Sequence, residues 1–136
     1  MNRADEGRVR THPNQRFATH EDVFDLDAAA DQLLAEPGSG QHGHRQMTLF
    51  RHGPATLALF CFEQAGARMP DHTVNGPVII HVLKGRLTIH TDDAEHDLSA
   101  GQLLRLAPNV RHDVVAVEPA QMLLTVSLEG PGSHAG

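Results

Sequence analysis

Gly66-Ala-Arg-Met-Pro-Asp-His72-Thr-Val74-Asn-Gly-Pro-Val78-Ile-Ile-His81-Val-Leu-Lys-Gly85 is the stretch on which the fold turns, and Gly101-Gln-Leu-Leu-Arg-Leu-Ala107-Pro-Asn109-Val-Arg-His112 answers it downstream. The run from Val78 to Leu83 is short, β-branched and apolar on both faces, which suits a buried strand. Lys84-Gly85 breaks it, and a second strand-like segment follows at 86–91. After Pro108-Asn109, His112, Val114 and Ala116 share one face of another strand. Around this nucleus, strands are expected over 47–51, 56–62, 78–83, 86–91, 102–106, 112–117 and 122–128. The alternation is cleanest at the end, where Met122, Leu124, Val126 and Leu128 oppose Thr125 and Ser127.

Upstream of Arg45 the pattern differs. Leu26, Ala30, Leu33 and Leu34 follow a helical stripe, so a helix is expected over 26–36, capped by Asp25, with Asp27 in its first turn and Pro37-Gly38 ending it. The segment 1–20 is polar, carries Arg3, Arg8, Arg10 and Arg16, and reads as a mobile tail. The expected organisation is a tail over 1–20, a helix and loop over 21–44, an all-β barrel over 45–130 and a second tail over 131–136. Many short strands at this spacing belong to the sandwich and barrel architectures, and the jelly roll is among them.

Composition narrows the function classes. At 136 residues there is room for one core. A net charge of −6 argues against nucleic acid as a partner, because phosphate binding needs clustered positive charge. No apolar run reaches membrane-spanning length, and residues 1–10 lack the apolar region of a signal peptide. The single cysteine, Cys61, rules out an internal disulfide and fits a reducing cytoplasm. It lies in an apolar strand and reads as a small buried group rather than a nucleophile. No phosphate-cradling glycine loop precedes a helix, and no serine has a paired base in sequence. No catalytic residue or organic cofactor is therefore assigned.

The two quoted motifs resemble those of the cupin superfamily, in particular the small single-domain cupins of the type-2 conserved-barrel group. Gly66, His72, Gly85, Gly101 and His112 fall in register with the family pattern; its second histidine is Val74 here, its glutamate is Val78, and Ala107 and Asn109 replace proline and glycine. Asparagine tolerates positive φ better than other non-glycine residues, so the turn at 109 is expected to survive. The resemblance covers about 48–128. It implies an antiparallel jelly-roll β-barrel, a homodimer and a site at the barrel mouth. It also implies a divalent transition metal (Fe, Mn, Ni or Zn), here weakly held because only His72 and His112 remain of the family's ligands.

His81 is the candidate third ligand. Strand parity opposes it: with Val78 inward, Ile80 and Val82 are inward and His81 points out, unless a bulge near Gly76-Pro77 intervenes. Asp71 is another candidate to complete the set. His90-Thr-Asp92 with His112 mimics an oxygenase triad, but Leu87 and Ile89 take the core face and leave His90 on the polar one. Two functions stay open at this point. One is a barrel that binds a small organic ligand in a pocket formed by Val74, Val78, Ile80 and Val114. The other is a metal-dependent oxygenase or isomerase acting on a small organic acid.

Overall fold

The computed structural model describes residues 21–38 and 41–129. The expected tails at 1–20 and 131–136 lie outside the described residues. Helix α1 spans Leu26–Ala35; strands follow at β1 His44–His52, β2 Ala55–Phe62, β3 Arg68–His72, β4 Val78–Lys84, β5 Arg86–Thr91, β6 Glu95–Ser99, β7 Leu103–Leu106, β8 His112–Ala116 and β9 Ala120–Ser127. Asp25 caps α1, its carboxylate accepting the Ala28 N–H at 3.0 Å.

All the ladders are antiparallel, and they form two sheets. One has five strands in the order β1-β2-β9-β4-β7, the other four in the order β3-β8-β5-β6. The closed barrel expected over 45–130 is therefore corrected to two facing sheets: among the described residues no ladder joins one sheet to the other. Closure needs every strand paired on both sides. Here β1 and β7 edge one sheet, and β3 and β6 edge the other. Strand β3 contains Pro70, which has no N–H to offer a further ladder, and β6 is the polar run Glu-His-Asp-Leu-Ser.

The space between the sheets is filled by alternate residues from both. Ala58, Phe60 and Phe62 of β2, Val78, Ile80 and Val82 of β4 and Met122 of β9 meet Met69, Leu87, Ile89, Val114 and Ala116 of the other sheet. The opposite face of the five-stranded sheet is apolar too, because α1 covers it. Ala29, Ala30 and Leu33 pack there on Met47, Leu49, Leu59 and Cys61. Burying Leu33 alone contributes about 2 kcal/mol. The buried stripe is rotated from the one expected: Ala29 is inside, while Leu34 is 40% exposed. Strand β4 thus carries core residues on one face and Leu83 toward the helix on the other.

Candidate functional site

His72 ends β3, His112 opens β8, and the ladder between these strands sets the two residues opposite each other. Their ring centroids are 4.3 Å apart, with the planes tilted by 59°. His112 is also paired with Thr91 of β5, so it sits on an internal strand, and it is 1% exposed. His72 is half-buried on an edge strand.

Each imidazole is fixed by a backbone carbonyl two residues upstream. His72 Nδ1 lies 3.0 Å from the Pro70 oxygen and His112 Nδ1 lies 2.9 Å from the Val110 oxygen. A carbonyl only accepts, so both Nδ1 atoms carry the proton and donate it. In the neutral rings both Nε2 atoms are then left as acceptors. His112 Nε2 is buried and has no hydrogen-bond partner among the described residues. An unpaired buried acceptor costs about 1–3 kcal/mol.

Electrostatics keep His112 in this state. Burial is the largest influence and lowers its pKa below the usual imidazole value. The bond to Val110 acts the other way, neighbouring His72 lowers the value further, and Asp113 and Asp71 raise it. Asp71 itself is tied at the surface to Arg111, 3.0 Å away.

The four residues expected to line a pocket are apolar and lie in or against the core between the sheets. Val78 is 2% exposed, and Ile80 and Val114 are fully buried in the core between the sheets. Val74 and Val110 pack against that core at its margin. The β3–β4 and β7–β8 connections are clasped where the Asn109 N–H donates to the Val74 carbonyl at 2.8 Å. Asn109 has φ of 65°, the left-handed conformation that its side chain tolerates.

His81 takes no part in this cluster. Strand β4 pairs without interruption from Val78 to His81 with both β7 and β9, and its burial alternates regularly. With no bulge, Val78, Ile80 and Val82 face the core, and His81 lies on the other face beside Leu123 of β9. The expected metal site is corrected accordingly. Two imidazoles converge, Val74 and Val78 offer no lone pair, and Asp71 is held by Arg111. Among the described residues no group of three or more His, Cys, Asp or Glu side chains is placed to hold a metal ion. The donor set does not fit the three protein ligands that such a centre needs.

The remaining polar groups lie elsewhere. His90 is on the outer face of the four-stranded sheet between Asp113, 2.7 Å away, and Glu95, 3.5 Å away, and its hydrogen bond to Asp113 is the main cause of a raised pKa. His44, at the end of the loop expected before the strands, opens β1. Its Nδ1 lies 2.9 Å from the Arg68 oxygen and its ring lies 5.5 Å from Phe60. Cys61 is buried under α1, and burial pushes its thiol up to about 11. Two open clefts of about 470 and 420 Å³ flank Lys84 on the helix side. Their charged side chains already have partners, Lys84 with Asp27 at 3.1 Å, Glu63 with Arg45 at 2.9 Å and Asp25 with the Ala28 N–H. Among the described residues the unpaired buried side-chain acceptor is at the histidine pair, and this distinguishes it from the two clefts.

Residues 58–127 match the family described as the Cupin domain. The chain belongs to the cupin family. A search of curated proteins finds no match. Among solved structures, a conserved protein of unknown function from Streptococcus pyogenes is similar at 23% identity and a TM-score of 0.65, over 83% of this chain and 92% of the other. A cupin superfamily protein from Desulfitobacterium hafniense is similar at 18% identity and a TM-score of 0.65, over 82% and 94% of the two chains. An RmlC-like cupin from Shewanella frigidimarina is similar at 21% identity and a TM-score of 0.60, over 64% and 78%. At these identities the likeness speaks for the fold, and this cupin's function has to be argued from its own residues. No helix among the described residues is long and apolar enough to cross a membrane.

Proposed function

We propose that this cupin binds a small organic molecule between its two sheets, at the end where His72 and His112 meet. The observation that carries the reading is the buried His112 Nε2, which has no hydrogen-bond partner among the described residues. Buried polar atoms in folded proteins are nearly always hydrogen-bonded, so an isolated one beside a second imidazole marks a place for a partner from outside the chain. Val74 and Val78 would form the apolar wall against the ligand's carbon skeleton, with Ile80 and Val114 as its floor. A mostly apolar lining with a few converging polar atoms is the usual composition of a small-molecule site.

The competing enzymatic reading called for His81 or Asp71 as a third metal donor; His81 lies on the far face of β4 and Asp71 is paired with Arg111, so the binding reading is preferred. The binding reading is tested by nitrogen-detected NMR of the full chain against a library of small organic molecules. Ligands that shift His112 Nε2, and lose affinity on His112→Ala, are expected. A library whose hits all leave His112 unmoved would overturn the reading.

A further inference from the structure

We infer that the group seated on the histidine pair is an uncharged donor of two hydrogen bonds, the paired hydroxyls of a small polyol. This rests on the binding reading above and specifies its ligand class. The Pro70 and Val110 carbonyls hold the Nδ1 protons, at 3.0 and 2.9 Å, which leaves the Nε2 atom of each neutral ring as an acceptor, that of His112 buried and unpartnered among the described residues. Two acceptors on rings 4.3 Å apart are complementary to two donors, and a vicinal diol supplies two O–H groups on adjacent carbons.

Charge chemistry removes the alternatives. A carboxylate would bring only acceptors to two acceptors, and Arg111, the cation beside the site among the described residues, is at the surface and bound to Asp71. An ammonium group could donate, but the carboxylates nearest the pair are committed, Asp71 to Arg111 and Asp113 to His90. It would lie unneutralised against Val74 and Val78, which is costly for a desolvated charge. Hydroxyls satisfy the acceptors without bringing a charge inside, and their carbon atoms suit the valine wall. A site built on hydrogen bonds to hydroxyls rejects analogues that lack them, since its own buried acceptors are then left unpaired.

The test uses the full chain labelled with nitrogen-15 at pH 7.5 and three probes on one three-carbon skeleton: propane-1,2-diol, lactate and 1-aminopropan-2-ol. Long-range proton–nitrogen spectra are expected to show both rings protonated at Nδ1. The diol is expected to shift both Nε2 resonances with affinity at least about tenfold above that of either charged probe. His72→Ala, at a half-buried edge position, should abolish the response without unfolding the domain, which guards against a His112 variant that fails to fold. Tighter binding of lactate or of the amino alcohol would overturn the ligand class while leaving the binding reading in place. An Nε2-protonated ring in the free protein would overturn the class as well. If none of the three probes moves either histidine, while the library screen does yield ligands there, the class falls alone; if both fail, the binding reading falls with it.

Discussion

Gly85 is pressed against Pro119 so closely that a β-carbon on it would stand 2.2 Å from the Pro119 carbonyl oxygen. The same glycine has φ of 76°, and it turns the chain out of β4 in one sheet into β5 in the other. Gly85→Ala combines a left-handed alanine with a backbone clash. It should cost roughly 2–5 kcal/mol, read as a lower urea midpoint at unchanged slope.

At Asn109 the same backbone conformation occurs without glycine, φ being 65°. Asn109→Gly should leave stability within about 1 kcal/mol of the parent, whereas Asn109→Val, β-branched, should lose about 1–2 kcal/mol. Thermal melts of the two variants side by side check this.

The helix face gives a paired comparison. Leu33 is 1% exposed and Leu34 is 40% exposed. Leu33→Ala should destabilise by about 2–5 kcal/mol and Leu34→Ala by about 0.5 kcal/mol or less. Equal losses would mean that α1 docks through a different stripe.

Two histidines should have pKa values displaced in opposite directions from the ordinary imidazole value. His90 is raised by its bond to Asp113, so its contribution to stability is fully present below pH 6.5 and fades as pH rises through its folded value. His112 is lowered by burial, so its contribution is present above pH 6.5 and is lost as pH falls through its folded value. Proton NMR titration should place the His90 midpoint above that of His112, and Asp113→Asn should bring His90 back toward 6.5.

Strand positions with apolar alternation are the ones that sequence makes legible. Strands β2, β4, β5, β8 and β9 announce themselves because one or both of their faces are buried. Strands β3 and β6 do not: Arg-Met-Pro-Asp-His contains a proline, and Glu-His-Asp-Leu-Ser places charge on an edge. Both are outermost strands, where little burial is imposed on the side chains. Period-two patterns say which way a side chain points but not which edges pair, and for that reason an open pair of sheets reads from sequence as a barrel. The outward direction of His81 follows from parity alone once β4 runs without a bulge from Val78 to His81. The hydrogen bonds that lock the two imidazoles involve backbone carbonyls, and no residue type in the sequence encodes them. The helix stripe is misread by one position because alanine at 29 carries little hydrophobic signal although it is fully buried.

The two site histidines are anchored unequally. His112 belongs to a strand bonded on both sides, to β3 and to β5, whereas His72 hangs from an outermost strand whose register slips between Met69 and His72. On the proposed binding reading, the pair would act as a vice with one fixed jaw. Molecules of different girth would be accommodated by displacement of β3 while β8 stays put, so affinity across a ligand series should track the ease of moving His72, and directional selectivity should be set at His112.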